Sequence, residues 1–162
     1  MCLAEAVVGG VFVMAASGAL LFLFVVGHLV GNLQIFLGPE AINRYGHFLQ
    51  SNMEVIWPAR VGLIVLVVLH VWSAAKLSRE NKAARPVGYA GDPAAPAASY
   101  ASRTMLMSGI IIAAFIIYHL LHYTAQVPAI NLTGRDFKRL DELLPDKSVR
   151  HDVYAMMVLG FR

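Results

Sequence analysis

Three stretches of this chain lack a charged residue: Ala6 to Pro39, Val61 to Ala75 and Thr104 to Gly134. Within them apolar side chains neither alternate nor keep to one helical stripe, so each stretch reads as a helix that is apolar all round. With its flanks each can supply the ~20 residues that carry a helix across about 30 Å of hydrocarbon. The pattern predicts spans over residues 12–37, 56–77 and 103–125. Leu37-Gly38-Pro39 stops the first. Residues 40–54 place Ile42, Tyr45, Phe48 and Leu49 at helical spacing, as in a helix lying along a membrane interface. Trp57-Pro58 opens span two, proline near the first turn and indole at headgroup depth. Residues 78–102 form a linker whose core, 86–99, is rich in proline, glycine and alanine. An outer segment over 126–155 follows, with a short helix expected around Arg135 to Leu144.

Composition agrees: 58% of residues are hydrophobic and 14% charged, against about 25% charged in soluble domains. The expected fold class is therefore all-α, an integral membrane helical bundle, forming a single membrane domain over 1–162. The net charge of +3 does not point to nucleic acid, because the basic residues flank apolar spans and form no interleaved patch. Lys76, Arg79, Lys82, Arg85 and Arg103 against Glu80 and Asp92 put the second connection, and hence the N-terminus, in the cytoplasm. The N-terminal stretch lacks a basic start and outruns a signal peptide, so it reads as a retained helix. Cys2 is the only cysteine, which excludes an internal disulfide and a four-cysteine iron-sulfur site.

An imidazole at membrane depth is costly until something satisfies it. His28, His70, His119 and His122 all fall there. With spans one and three running outward, His28 and His119 reach one depth near the outer face, while His70 on the inward-running span two lies alone near the cytoplasmic side. Two facing histidines at one depth suit bis-imidazole haem iron. Ser17-Gly18 and Ser108-Gly109 each precede a histidine, His28 and His119, by the same interval, which sets each serine about 16 Å inward on its histidine's face. Gly27 and Gly31 flank His28 and would let a flat macrocycle or a helix approach. Zinc or di-iron is a weaker reading, since the spans hold no Asp, Glu or His-Glu-x-x-His run. The alternative for any one histidine is a hydrogen bond across helices to a serine or tyrosine.

These residues resemble a known family, the five-helix, two-haem cytochrome b subunit that anchors bacterial succinate dehydrogenase or fumarate reductase. MAASGALLFLFVVGHLVGNLQIFLGPEAINRYGHFLQ, residues 14–50, is similar to that subunit's first helix and following loop. PARVGLIVLVVLHVWSA is similar to its second helix, SRTMLMSGIIIAAFIIYHLLHYT to its third, and HDVYAMMVLGF to the lead into its fourth. The resemblance implies that His28 and His119 ligate the outer haem b and His70 the inner one, with Ser17, Ser108 and His122 in the haem environment. The fourth ligand would lie on a helix beyond Arg162, so the chain is expected to stop before the fourth of five spans.

The same resemblance implies electron relay between an iron-sulfur subunit, itself paired with a flavoprotein subunit, and a membrane quinone, menaquinone being expected. FAD and iron-sulfur clusters would sit on those partners, and the location would be the bacterial inner membrane. Quinone chemistry moves protons, and Glu54, at the outer entrance of span two, is the candidate acceptor. Arg60, just inside that span, could meet a carboxylate, a propionate or a lipid phosphate. Two rivals are the cytochrome b subunit of a hydrogenase or formate dehydrogenase, and a cofactor-free transporter whose histidines relay protons.

Overall fold

The computed structural model describes residues 3–84, 87 and 99–161, with side chains from Val8 onward. The proline-rich core of the expected linker, apart from Val87 and Ser99, and the Met1-Cys2 start lie outside the described residues. Among the described residues the fold is all-α except for one small hairpin, and three helices are long and apolar enough to cross a membrane. The chain divides into two compact units.

The first unit holds residues 1–37 and 44–88. Its helix α1, Leu3–Asn32, passes into a 3-10 turn, Leu33–Leu37. Gly38 then takes φ +102°, a conformation costly for any residue with a Cβ, and Pro39 starts helix α2, Pro39–Ser51, with its φ already helical. Helix α3, Met53–Ala83, begins before the Trp57-Pro58 pair, because the amides of Val55 and Ile56 both bond the Asn52 carbonyl, at 3.1 Å. Pro58 interrupts the ladder by one donor without ending the helix. At its far end α3 runs on through polar residues, where Lys76 pairs with Glu80 at 3.8 Å and lies 5.5 Å from the Trp72 ring centre.

Helices α1 and α3 pack through small residues. Gly10 lies against Leu77, Ser17 against His70, and Ser73 is fully buried. Seven residues up α1 thus match seven down α3, so the pair is antiparallel. Lipid offers leucine as good a solvent as protein does, so close approach of small residues, and not apolar burial, is what holds such a pair.

The second unit holds residues 38–43 and 89–162. Ser99 caps helix α4, Tyr100–His119, by accepting a hydrogen bond from the Ser102 amide. The helix widens into a π turn over Leu120–Thr124, with the Ala125 amide reaching the Leu120 carbonyl at 2.7 Å. The expected short helix around Arg135 to Leu144 is corrected here. Only Phe137–Arg139 forms a 3-10 turn, and Asp141–Leu143 is strand β1, paired antiparallel with β2, Val149–His151. The physical reason lies in the turn: Pro145 disfavours helix, Asp146 accepts from the Ser148 amide and hydroxyl, and Lys147 adopts φ +67°. Asp152 then caps helix α5, Val153–Gly160.

Candidate functional site

The histidine with the best-defined surroundings is His70 on α3. Its Nδ1 lies 3.2 Å from the Met14 carbonyl oxygen and 3.2 Å from Ser17 Oγ on α1. A carbonyl only accepts, so Nδ1 carries the proton. Ser17 spends its own hydrogen on the Val13 carbonyl at 2.6 Å, which leaves its oxygen to accept from His70. In the neutral ring Nε2 therefore keeps its lone pair. A ring nitrogen donating to a backbone carbonyl while the other stays basic is the arrangement that metal-ligating histidines use. Gly18 completes the seat: a Cβ there would stand 3.0 Å from His70 Cε1.

His28, further along α1, is exposed and stacks on Phe24 with ring centres 5.4 Å apart and planes 18° apart. Gly27 has open space beside it, whereas Gly31 is buried under the Tyr45 ring and could not carry a side chain without displacing it. On α4, His119 packs between Phe115, 5.7 Å away, and Tyr123, 5.5 Å away. His28 belongs to the first compact unit and His119 to the second. The two Ser-Gly pairs differ in setting. Ser17 is buried and meets His70, while Ser108 is exposed and bonds its own helix at the Thr104 carbonyl. Glu54 is exposed in the first turn of α3, and the Arg60 guanidinium lies 5.4 Å from the Trp57 ring centre.

His122 sits in the π turn, 3% exposed, boxed by Tyr118, Tyr123 and Phe137 with ring centres 5.2, 4.2 and 5.3 Å away. Neither of its ring nitrogens has a hydrogen-bond partner among the described residues. Each such orphan costs roughly 1–3 kcal/mol. The ring borders a cleft of about 420 Å³, shared with Tyr118, Leu132, Thr133, Leu159 and Gly160.

A polar cluster that the sequence alone does not reveal lies in the same unit. Buried Arg150 bonds Glu142 through Nε at 2.9 Å and Glu40 through Nη1 at 3.3 Å. Fully buried Asn43 gives its amide hydrogens to Glu142 at 2.8 Å and Asp152 at 3.0 Å, and accepts from the Tyr154 amide at 2.7 Å. Hydrogen bonds from Arg150 and Asn43 hold the Glu142 carboxyl below its ordinary range, and both carboxylates raise the Arg150 guanidinium. The sequence shows only an acidic and a basic residue 110 positions apart, with no local signal linking them.

Among the described residues no three of His, Cys, Asp and Glu come together to hold a bare metal ion. A haem makes a smaller demand, one or two imidazoles with a basic nitrogen each, and His70 fits it. The fold defines the class, an α-helical membrane protein. Comparison with protein-family models, curated proteins and solved structures finds no match to the chain.

Proposed function

We propose that this chain is the haem b-carrying membrane anchor of a succinate dehydrogenase or fumarate reductase, relaying electrons between an iron-sulfur subunit and membrane quinone. The observation that supports the reading is that His70, although it makes the cross-helix contact to Ser17 that a purely structural histidine would make, uses Nδ1 for both that contact and the Met14 carbonyl, which would leave Nε2 to act as a base. It adds to the resemblance of residues 14–50 and of the two other spans to that family.

Haem, when bound, would supply one-electron transfer. His70 would hold the inner haem through Nε2, and His28 with His119 the outer one. The Met14 carbonyl orients the His70 ring, the small Gly18 lets it lie close to α1, and the apolar helices exclude water. Glu54, exposed where α3 begins, would take up the proton that quinol releases. The flavoprotein and iron-sulfur partners, the bacterial inner membrane and a cytoplasmic linker all belong to this reading.

The test is optical. Native membranes carrying the full-length protein should show the reduced-minus-oxidised bands of low-spin haem b, and His28→Ala or His119→Ala should remove one haem and spare the other. Colourless protein from a haem-replete host overturns the assignment.

A further inference from the structure

We infer that the β1–β2 hairpin is a membrane-contacting element, its Leu143–Val149 face seated in the headgroup layer of the leaflet where α4 ends. An antiparallel strand pair on a water-soluble body turns its apolar side chains to the core and its charges to solvent. Here the order is reversed. Glu142 and Arg150 stand opposite one another on the inner face, where Arg150 is 7% exposed and bonds both Glu142 and Glu40, and Asn43 bonds Glu142 as well. Leu143 and Val149, the next cross-strand pair, fall on the other face and are 71% and 58% exposed. A hairpin that buries its charges and presents its aliphatic pair suits a surrounding less polar than water.

Its depth follows from contacts within the same compact unit. The third helix able to span a bilayer ends at Thr124. Two residues on, Gln126 turns at φ +51°, and its Nε2 lies 3.4 Å from His151 Nε2 on β2 and 3.1 Å from Met156 Sδ on α5. Strand β2 therefore passes at the level where the span leaves the hydrocarbon. Val149 is two strand residues from His151, about 7 Å. A headgroup layer is of similar thickness, half the difference between ~30 Å of hydrocarbon and ~40–45 Å overall. Val149, with Leu143 opposite it, thus stays at headgroup depth.

The rest of the face selects the wet layer over the hydrocarbon beneath it. Asp141 and His151, the remaining cross-strand pair, lie 3.9 Å apart, and the Asp141 side chain is 52% exposed. A carboxylate is tolerated among headgroups, while two aliphatic side chains gain by reaching the acyl boundary below. The occupant of this face is phospholipid, and the inference stands apart from the haem reading.

Collision accessibility tests it. The full chain with Cys2→Ser, in phosphatidylcholine nanodiscs, carries a nitroxide at Leu143→Cys, at Val149→Cys or, in the polar turn, at Ser148→Cys. Labels at 143 and 149 should favour collision with oxygen over a water-soluble nickel chelate, relative to the label at 148. Amide protection across residues 141–151 checks that each labelled hairpin is folded. In the wild type, the Leu143 and Val149 methyl protons should cross-relax with lipid glycerol and acyl protons, a readout that needs no variant. An oxygen preference at both positions no higher than at 148, or methyls that cross-relax with water alone, overturns the contact. Exclusion of both reagents from 143 and 149 also overturns it, because protein then covers the face.

Discussion

His70 donates from Nδ1 to two acceptors of different kinds, and they can be separated by mutation. The Met14 carbonyl cannot be removed by changing a side chain, but Ser17 can. Ser17→Ala deletes one acceptor and leaves the ring seated by the other. On the proposed haem reading, a hydrogen bond from Nδ1–H would make Nε2 more basic and favour oxidised iron, so its loss should raise the potential of the haem that His70 would hold. With a net hydrogen bond of about 1 kcal/mol, the shift is about 40 mV for one electron. A redox titration of the haem bands reads it, and an unmoved potential assigns the orientation to Met14 alone. The seat was only half legible in the sequence. Ser17 and His70 stand out as polar residues in apolar runs, but a backbone carbonyl leaves no mark on a sequence, and the antiparallel register that brings Met14 to His70 is set by Gly10, Ser17 and Ser73 acting together.

The hairpin β1–β2 depends on charges that pair across elements. Arg150 is 6% exposed at its side chain while its partners Glu142 and Glu40 are 31% and 68% exposed. Its loss therefore falls between a surface pair, worth 0–1 kcal/mol, and a fully buried one. Arg150→Met should destabilise the segment by about 2 kcal/mol, seen as faster amide exchange across residues 141–151. The pH dependence has a definite sign. Glu142 is depressed by Arg150 and Asn43 in the fold, so its contribution is complete above the ordinary glutamate value of 4.5 and is lost as pH falls through the lower folded value. Amide protection of the hairpin should be flat from pH 7 to about 5 and decline below it. Asp146, held down by the Ser148 hydroxyl, titrates in the same direction, so Glu142→Gln should shrink the acid response without abolishing it. Long helices were legible because hydropathy is a local property. The hairpin was not: Asp141 to Leu144 has helix-compatible composition, and what makes part of it a strand is its partner six to ten residues later, beyond Pro145.

Membrane orientation is a property of the whole chain, and here the charges do not settle it by number. The linker side carries Lys76, Arg79, Lys82, Arg85 and Arg103, and the outer segment over 126–155 carries as many: Arg135, Lys138, Arg139, Lys147 and Arg150. Proximity and pairing distinguish the two sets. Lys76, Arg79 and Lys82 lie on the last turns of α3, next to the apolar stretch where topology signals act most strongly, and among the described residues there only Lys76 and Glu80 form an ion pair. In the later segment Arg150 is enclosed by carboxylates, whereas Arg139, 3.5 Å from Asp136, is 87% exposed, so one of its five cations is tied up once the segment folds. The linker should therefore face the cytoplasm and the hairpin the opposite side. The single native cysteine makes the check direct: in a Cys2→Ser background, Ser148→Cys should react with a membrane-impermeant maleimide in intact cells, whereas Lys82→Cys should react only after permeabilisation. The opposite labelling would place Glu54 on the cytoplasmic side with the start of α3 and remove it as an outer-face proton acceptor, while leaving the His70 seat, which is internal to α1 and α3, unaffected.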